Sequence, residues 1–408
     1  MKKYFLAVAS FFIYSHISLG QVYPGQMDST FVPVRSHHYD PELTFDFCVN
    51  EPAWSNQAGI HSAFGSTDRL YFRKEVPVNH DNDLSSSYST TVWRGERANA
   101  QILVWSSEAL EQVRVSTQDL RSAEGNIIPK DRITFELVRY VLSNYPYAEK
   151  KAICGESPYK SGFLMPDRFE TLDRFDLPSQ TTRPVWMMVD VPRGTAPGTY
   201  KGQVEVRAKG KAPQLLNLEI VVQNQLLPYP KDWKYRLDLW QNPWAVAWYN
   251  HVEPWSPEHK MLLKQHLKHY ADAGGTYITT YGVHSPWSDN SYMIEGGMIE
   301  WIKKADGTWA FDYKIFDEYV ELAMECGIDE AITLYTPIPW GFRHRYKDEA
   351  TGDYSYINWA PSSEEFKKMW NIFLTDFKFH LEAKSWLDIT YIGINENPME
   401  ETLAAIHV

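Results

Sequence analysis

Near the end of the chain a short apolar run leads into polar residues: Ile392-Gly393-Ile394-Asn395-Glu396-Asn397-Pro398. An acid just past a parallel strand points into the mouth that such strands build, which makes Glu396 the leading candidate for a general acid. Glycoside hydrolysis needs such a group, because the leaving oxygen takes a proton as its bond breaks. A second reading stays open, in which Glu396 caps a following helix with Pro398 at its first position. Eight further residues project from expected strand ends or the loops beyond them and could contact a sugar. They are Trp240, Gln241 and Asn242, then Tyr281, His284 and Trp287, then Tyr335 and Trp340. Trp rings stack on the apolar C–H faces of pyranoses, and His284 could bind a sugar hydroxyl. Core packing is the alternative for each aromatic.

Other chemistries find no pattern. There is no GxGxxG and no phosphate-loop motif, and Gly155-Glu156-Ser157-Pro158-Tyr159 lacks the final Gly of a nucleophile elbow. His37-His38 and the His266/His269 pair lack partner ligands at zinc spacing, so no metal and no cofactor is expected. The widely spaced Cys48, Cys154 and Cys326 read as three buried thiols, or as one Cys48–Cys154 bridge with a thiol left over.

The elements that must position these residues change character along the chain. After Pro230 the pattern alternates strand and helix. Strands are expected over Tyr235–Gln241, Thr276–Tyr281, Ile328–Tyr335 and Ile389–Asn395. Between them, Ser256-Pro257-Glu258 opens a helix that carries Leu263, Leu267, Tyr270 and Ala271 and stops at Gly274-Gly275. Asp312 opens a second helix, and Ser362-Ser363-Glu364-Glu365 caps a third with Phe366, Met369, Trp370, Phe373 and Phe377 at helical spacing. Residues 284–311 and 337–360 are insertions after the second and third strands. This rhythm predicts parallel βα units of a TIM-type barrel over 230–408, with about the first four units present. A full barrel needs eight, so the chain reads as a piece of a longer protein, as a truncated and non-functional product that does not fold as a barrel, or as a part that a partner completes.

Residues 21–229 read as an antiparallel β-sandwich. Tyr200, Gly202, Val204, Val206 and Ala208 alternate with polar residues, Leu216, Leu218, Ile220 and Val222 repeat the pattern, and Gly/Pro turns punctuate it. Residues 1–20 read as a signal peptide: Lys2 and Lys3, an apolar stretch from Tyr4 to Ile17, then Ser18-Leu19-Gly20 before Gln21. The mature chain is expected to be exported, with no membrane span. With 40 Lys and Arg against 52 Asp and Glu, the net charge of −12 argues against a nucleic-acid partner. Aromatic residues make up 15%, which suits a core and also a sugar handler. Oligomeric state is left open.

Several motifs in order resemble glycoside hydrolase family 123, whose characterised members are β-N-acetylgalactosaminidases. They are Trp240-Gln241-Asn242-Pro243, Tyr249-Asn250-His251-Val252-Glu253-Pro254-Trp255-Ser256 and Lys303-Lys304-Ala305-Asp306-Gly307-Thr308-Trp309 with Phe311-Asp312-Tyr313. Pro339-Trp340, Lys384-Ser385-Trp386-Leu387-Asp388, Trp93-Arg94-Gly95-Glu96-Arg97 and Pro197-Gly198-Thr199-Tyr200-Lys201-Gly202 fit as well. The resemblance implies a glycan substrate with an N-acetylated amino sugar and a substrate-assisted, retaining mechanism. In it the 2-acetamido oxygen attacks C1, an Asp steadies the acetamido group, and the adjacent Glu donates the proton. The Glu position is Glu396. The Asp position is Asn395, which is neutral, so the resemblance implies weakened hydrolysis or a glycan-binding homologue without turnover. Tyr335 is a candidate to hydrogen-bond the acetamido oxygen.

Overall fold

The structure is a computed structural model and describes residues 27–28, 31–33, 42–43, 51–77, 84–143, 163–286 and 296–407. The signal-like segment, Cys48, Cys154 and Trp287 lie outside the described residues. The chain divides into two compact units, Met1–Leu227 and Pro228–Val408.

Nine strands carry the first unit: β1 (His61–Gly65), β2 (Ser87–Arg94), β3 (Arg97–Ser106), β4 (Leu110–Thr117), β5 (Ile133–Ser143), β6 (Phe163–Leu177), β7 (Thr181–Asp190), β8 (Gly198–Arg207) and β9 (Gln214–Leu226). Alternation made these strands legible; in β9 Leu216, Leu218, Ile220 and Val222 are all buried. The expected two-sheet sandwich is not what they build. They follow one hydrogen-bonded path, β1-β3-β7-β5-β6-β4-β8-β9-β2. One step of it, β9 with β2, is parallel, with Asn217 opposite Ser87. The path nearly closes on itself where Phe64 at the end of β1 pairs with Ser85 just before β2. Register shifts at Arg139/Tyr140 and between Phe175 and Leu177 interrupt the path, and irregularities of this kind increase the local twist. The interior is aliphatic, with Ala100, Ile102, Val104, Val113, Val189, Val204 and Val206 fully buried.

The second unit has β10 (Tyr277–Tyr281), β11 (Glu300–Lys303), β12 (Trp309–Asp312), β13 (Ala331–Tyr335), β14 (Arg343–Asp348), β15 (Tyr354–Asn358) and β16 (Thr390–Gly393). Its helices are α1 (Pro243–Tyr249), α2 (Pro257–Asp272), α3 (Lys314–Glu325), α4 (Glu364–Lys384) and α5 (Met399–Ile406). The four-unit TIM-type barrel expected here is not met, and the described chain is mostly β. Three strands, β10-β13-β16, pair in parallel. The expected first strand does not form. Tyr235–Gln241 makes one isolated bridge, Leu237 to Gly275, because a side chain takes its backbone groups instead. The Tyr270 hydroxyl accepts the Leu239 N–H at 3.2 Å and lies 2.7 Å and 2.9 Å from the carbonyls of Leu237 and Tyr277. Pro243 then removes a donor and starts α1. The two expected insertions contribute strands: Glu300–Lys303, Trp309–Asp312, Arg343–Asp348 and Tyr354–Asn358 form a second sheet, β12-β11-β14-β15.

Aromatic residues make up much of the core of this unit. Trp301 stacks on Phe373 at 4.8 Å and meets Phe311 and Trp370 edge-on. Tyr313, Phe316 and Phe377 continue the cluster. Edge-to-face and offset pairs of this kind add to their area of burial. Cys326 is a buried free thiol. Among the described residues, no helix is long and apolar enough to cross a membrane, and no group of three His, Cys, Asp or Glu side chains is placed to hold a metal ion.

Candidate functional site

Because β10, β13 and β16 run parallel, the segments that follow them leave from one side of the sheet. Tyr281, Tyr335 and Gly393 stand in register across it. Gly393 is needed there, since a Cβ would come within 2.9 Å of Thr333 Cγ2 and 3.4 Å of the Tyr335 ring. Two residues on, Asn395 is buried at 5% exposure and Glu396 is exposed.

The Asn395 side chain is turned inward and engaged at both ends. Its Nδ2 donates to the Ile338 carbonyl at 3.2 Å, and its Oδ1 accepts the Glu396 backbone N–H at 2.7 Å. A carbonyl only accepts and an N–H only donates, so these partners fix which way the amide points. Asn397 Nδ2 donates to the same Ile338 carbonyl at 3.1 Å. The two asparagines tie the segment after β16 to the segment after β13, and the Glu396 carboxylate is carried on that tie. Helix α5 begins at Met399 with Pro398 as its cap, and no side chain caps it.

The structure brings some of the candidate residues together. Trp240 is half exposed, and its ring lies 4.6 Å from that of buried Tyr335. The Tyr281 hydroxyl donates to the Gln241 carbonyl at 2.6 Å, and burial pushes its pKa up. Asn242 accepts the Ala245 N–H at 3.2 Å and caps α1, a structural duty. Trp340 is 40% exposed, and its backbone N–H donates to the Pro286 carbonyl at 3.1 Å.

His284 belongs to a different group. It lines a cavity of about 520 Å³ with Trp244, Trp255, Glu300, Asp312 and Arg345 among others. Burial, then the charges of Arg345 and Arg343, push its pKa down to about 3, so it is neutral near neutral pH. Ile338, Asn397, Arg343, Arg345, Tyr354 and Glu300 are not among the residues that motif and spacing single out. The period-two alternation of Arg343 and Arg345, and of Tyr354 and Tyr356, was a strand signal that could have found the last hairpin.

Two stretches of the chain match known domains. Residues 240–408 match the glycoside hydrolase 123 catalytic domain, and residues 64–208 match the glycoside hydrolase 123 N-terminal domain. Among solved structures, the chain is similar to a family 123 glycoside hydrolase from Clostridium perfringens, described in work on glycolipid glycan hydrolysis. The identity is 26% and the TM-score 0.76, over 86% of this chain and 60% of that one. The chain thus spans about 60% of the length of that relative. A PapD-like domain of human CEP192 aligns at 12% identity over 45% of this chain and 99% of its own, with a TM-score of 0.22. A GH5 xyloglucanase from Bacteroides ovatus aligns at 10% identity over 76% and 43%, with a TM-score of 0.18. Neither of these two bears on the fold. No curated protein matches the chain.

Proposed function

We propose that this chain, which carries the N-terminal and catalytic domains of glycoside hydrolase family 123, acts on glycans bearing β-linked N-acetylgalactosamine. Glu396 is the proton-transferring group. The observation that carries the reading is the exposed Glu396 on the tied segment beyond β16, beside buried Asn395. In the reaction the Glu396 carboxyl protonates the glycosidic oxygen while the 2-acetamido oxygen of the sugar attacks C1, and the bond to the leaving group breaks. The Glu396 carboxylate then takes a proton from the water that opens the resulting oxazolinium ring, so the configuration at C1 is retained. Trp240 offers a half-exposed ring for stacking, packed against Tyr335. Export of the mature chain is part of the same reading and rests on the signal-like first twenty residues.

Asn395 makes turnover slow. A neutral amide, with its oxygen already held by the Glu396 N–H, cannot offset the positive charge of the oxazolinium. Losing one such electrostatic partner costs about 10² to 10³ in rate. The same observation favours a second reading, a glycan-binding homologue that does not turn over. Hydrolysis of 4-nitrophenyl β-N-acetylgalactosaminide separates them. Slow release, retained configuration and a loss of at least about 100-fold in Glu396→Gln are expected of the enzyme. Release that ignores Glu396, or equal cleavage of the galactoside without an acetamido group, would overturn it. Saturable binding with no release would establish the second reading.

A further inference from the structure

We propose that the β14–β15 hairpin is a subsite for an anionic group on the glycan, a sialic-acid carboxylate or a sulfate ester, held by the guanidinium groups of Arg343 and Arg345. The proposal rests on the reading of this chain as a glycan-handling protein. In the antiparallel register Arg345 stands opposite Tyr356 and Lys347 opposite Tyr354. Opposed residues share a face, and so do alternate residues along a strand, so Arg343, Arg345, Lys347, Tyr354 and Tyr356 form one surface. The Arg343 guanidinium carbon lies 3.7 Å from the Tyr356 ring centre and that of Arg345 lies 4.3 Å from the Tyr354 ring centre. A guanidinium stacked on an aromatic ring keeps N–H groups to bind, and a guanidinium can take a carboxylate or sulfate through two parallel bonds.

These cations are not spent elsewhere. In a chain with 52 acids against 40 Lys and Arg, neither arginine is among the ion pairs or side-chain hydrogen bonds of the described residues. Tyr354 is instead fixed from its other end, its hydroxyl donating to Glu300 at 2.6 Å. The surface is also beside a space. Arg345 and Tyr354 line the same cavity of about 520 Å³ as His284. Glu300, Asp312 and Glu318 line it too, so the anion belongs at the arginine edge of the hairpin rather than among those acids. Finally, the hairpin follows β13 and Glu396 follows β16. Because those strands are parallel, the segments that carry the hairpin and Glu396 leave from the same side of the sheet.

The test is calorimetric titration of the full chain at low salt with three oligosaccharides ending in β-linked N-acetylgalactosamine: one neutral, one with a single sialic acid, one with a single sulfate ester. One acidic glycan is expected to bind roughly tenfold to hundredfold more tightly than the neutral one, as charge-assisted contacts to two arginines allow, and which one does so identifies the source of the anion. The gain should vanish in Arg343→Ala/Arg345→Ala, survive in part in Arg345→Lys, and shrink with added salt, while neutral binding and the melting temperature stay put. Equal affinities, or a gain that survives the double alanine variant, would overturn the subsite. Methyl α-sialoside and methyl sulfate, which lack the amino sugar, separate this claim from the one it rests on. If either protects Arg345 from phenylglyoxal while the neutral glycan fails to bind, the subsite stands and the amino-sugar reading falls. If the neutral glycan binds and neither anion protects Arg345, the reverse holds.

Discussion

Replacing Asn395 by Asp restores the charge that substrate-assisted hydrolysis asks for, and the surrounding geometry sets two opposed effects. The first is on stability. The bond from Asn395 Nδ2 to the Ile338 carbonyl, 3.2 Å long, is lost, and an ordinary bond of this kind contributes about 0.5–1.5 kcal/mol. The carbonyl is not orphaned, because Asn397 still donates to it at 3.1 Å. The new carboxylate is 5% exposed, with one backbone N–H, that of Glu396, pointed at it, so desolvating it adds about 1–3 kcal/mol. A total of about 2–4 kcal/mol, at about 2–4 °C per kcal/mol for a domain of this size, lowers the melting temperature by roughly 5–15 °C. The second effect is on rate. A negative charge beside the forming oxazolinium recovers about 3–4 kcal/mol of barrier, or about 10² to 10³ in kcat. The assay pairs calorimetric melting with kcat on 4-nitrophenyl β-N-acetylgalactosaminide from pH 4 to 7, for Asn395→Asp alone and with Glu396→Gln. A folded Asp variant whose kcat does not rise anywhere in that range would refute the account of slow turnover. A variant that melts no lower than its parent would refute the structural weight given to the Ile338 bond.

Two further predictions concern the second unit alone. Trp370 Nε1–H donates to His344 Nε2 at 3.1 Å, so the proton sits on Nδ1, which donates to the Phe342 carbonyl at 3.0 Å. Burial keeps this ring neutral and pushes its pKa down to about 4. A base whose pKa falls on folding contributes stability that is complete above its unfolded value near 6.5 and is lost as pH drops from there toward 4. Melting temperature should therefore fall across that window, less steeply in His344→Gln, and scanning fluorimetry at half-unit steps that found identical slopes would contradict it. Tyr270→Phe removes the hydroxyl that serves Leu237, Leu239 and Tyr277. It should cost about 1–3 kcal/mol, seen in urea titration together with faster amide exchange at Leu239; unchanged exchange there would mean the hydroxyl does not hold this segment.

What could be read from the chain was what neighbours in sequence decide. Ser256 accepts the His259 N–H and starts α2, and Ser363 accepts the Phe366 N–H and starts α4. The five residues expected on the inner side of α4, Phe366, Met369, Trp370, Phe373 and Phe377, are all buried. What could not be read depended on distant partners. Tyr235–Gln241 has the residues of a strand, but Tyr270, thirty residues on, holds its backbone. Strand β11 pairs in parallel with β14 through only two residue pairs, Ile302 with Lys347 and Lys303 with Asp348, and no local pattern announces such a match. The nine-stranded path has the same cause, since β9 finds β2 across 130 positions, Asn217 to Ser87. At the site, the adjacency of Asn395 and Glu396 was plain. That Ile338, 57 residues earlier, receives the Asn395 amide was not.

The near closure of the first unit's sheet bears on how much bare strand edge the unit presents. A strand at the rim of an open sheet shows a row of unpaired N–H and C=O groups, a ready template onto which another chain can add. Here the first and last strands of the path approach each other, and among the described residues the joint between them is one reciprocal pair, Phe64 N–H to Ser85 O at 2.8 Å and Ser85 N–H to Phe64 O at 3.0 Å. Phe64 itself is buried and packs against Tyr88 at 5.4 Å, so a ring contact backs the two bonds. That joint is a latch against strand addition. Loosening it would uncover both rims at once, and the first sign of damage in this unit would be self-association rather than loss of any contact at Glu396.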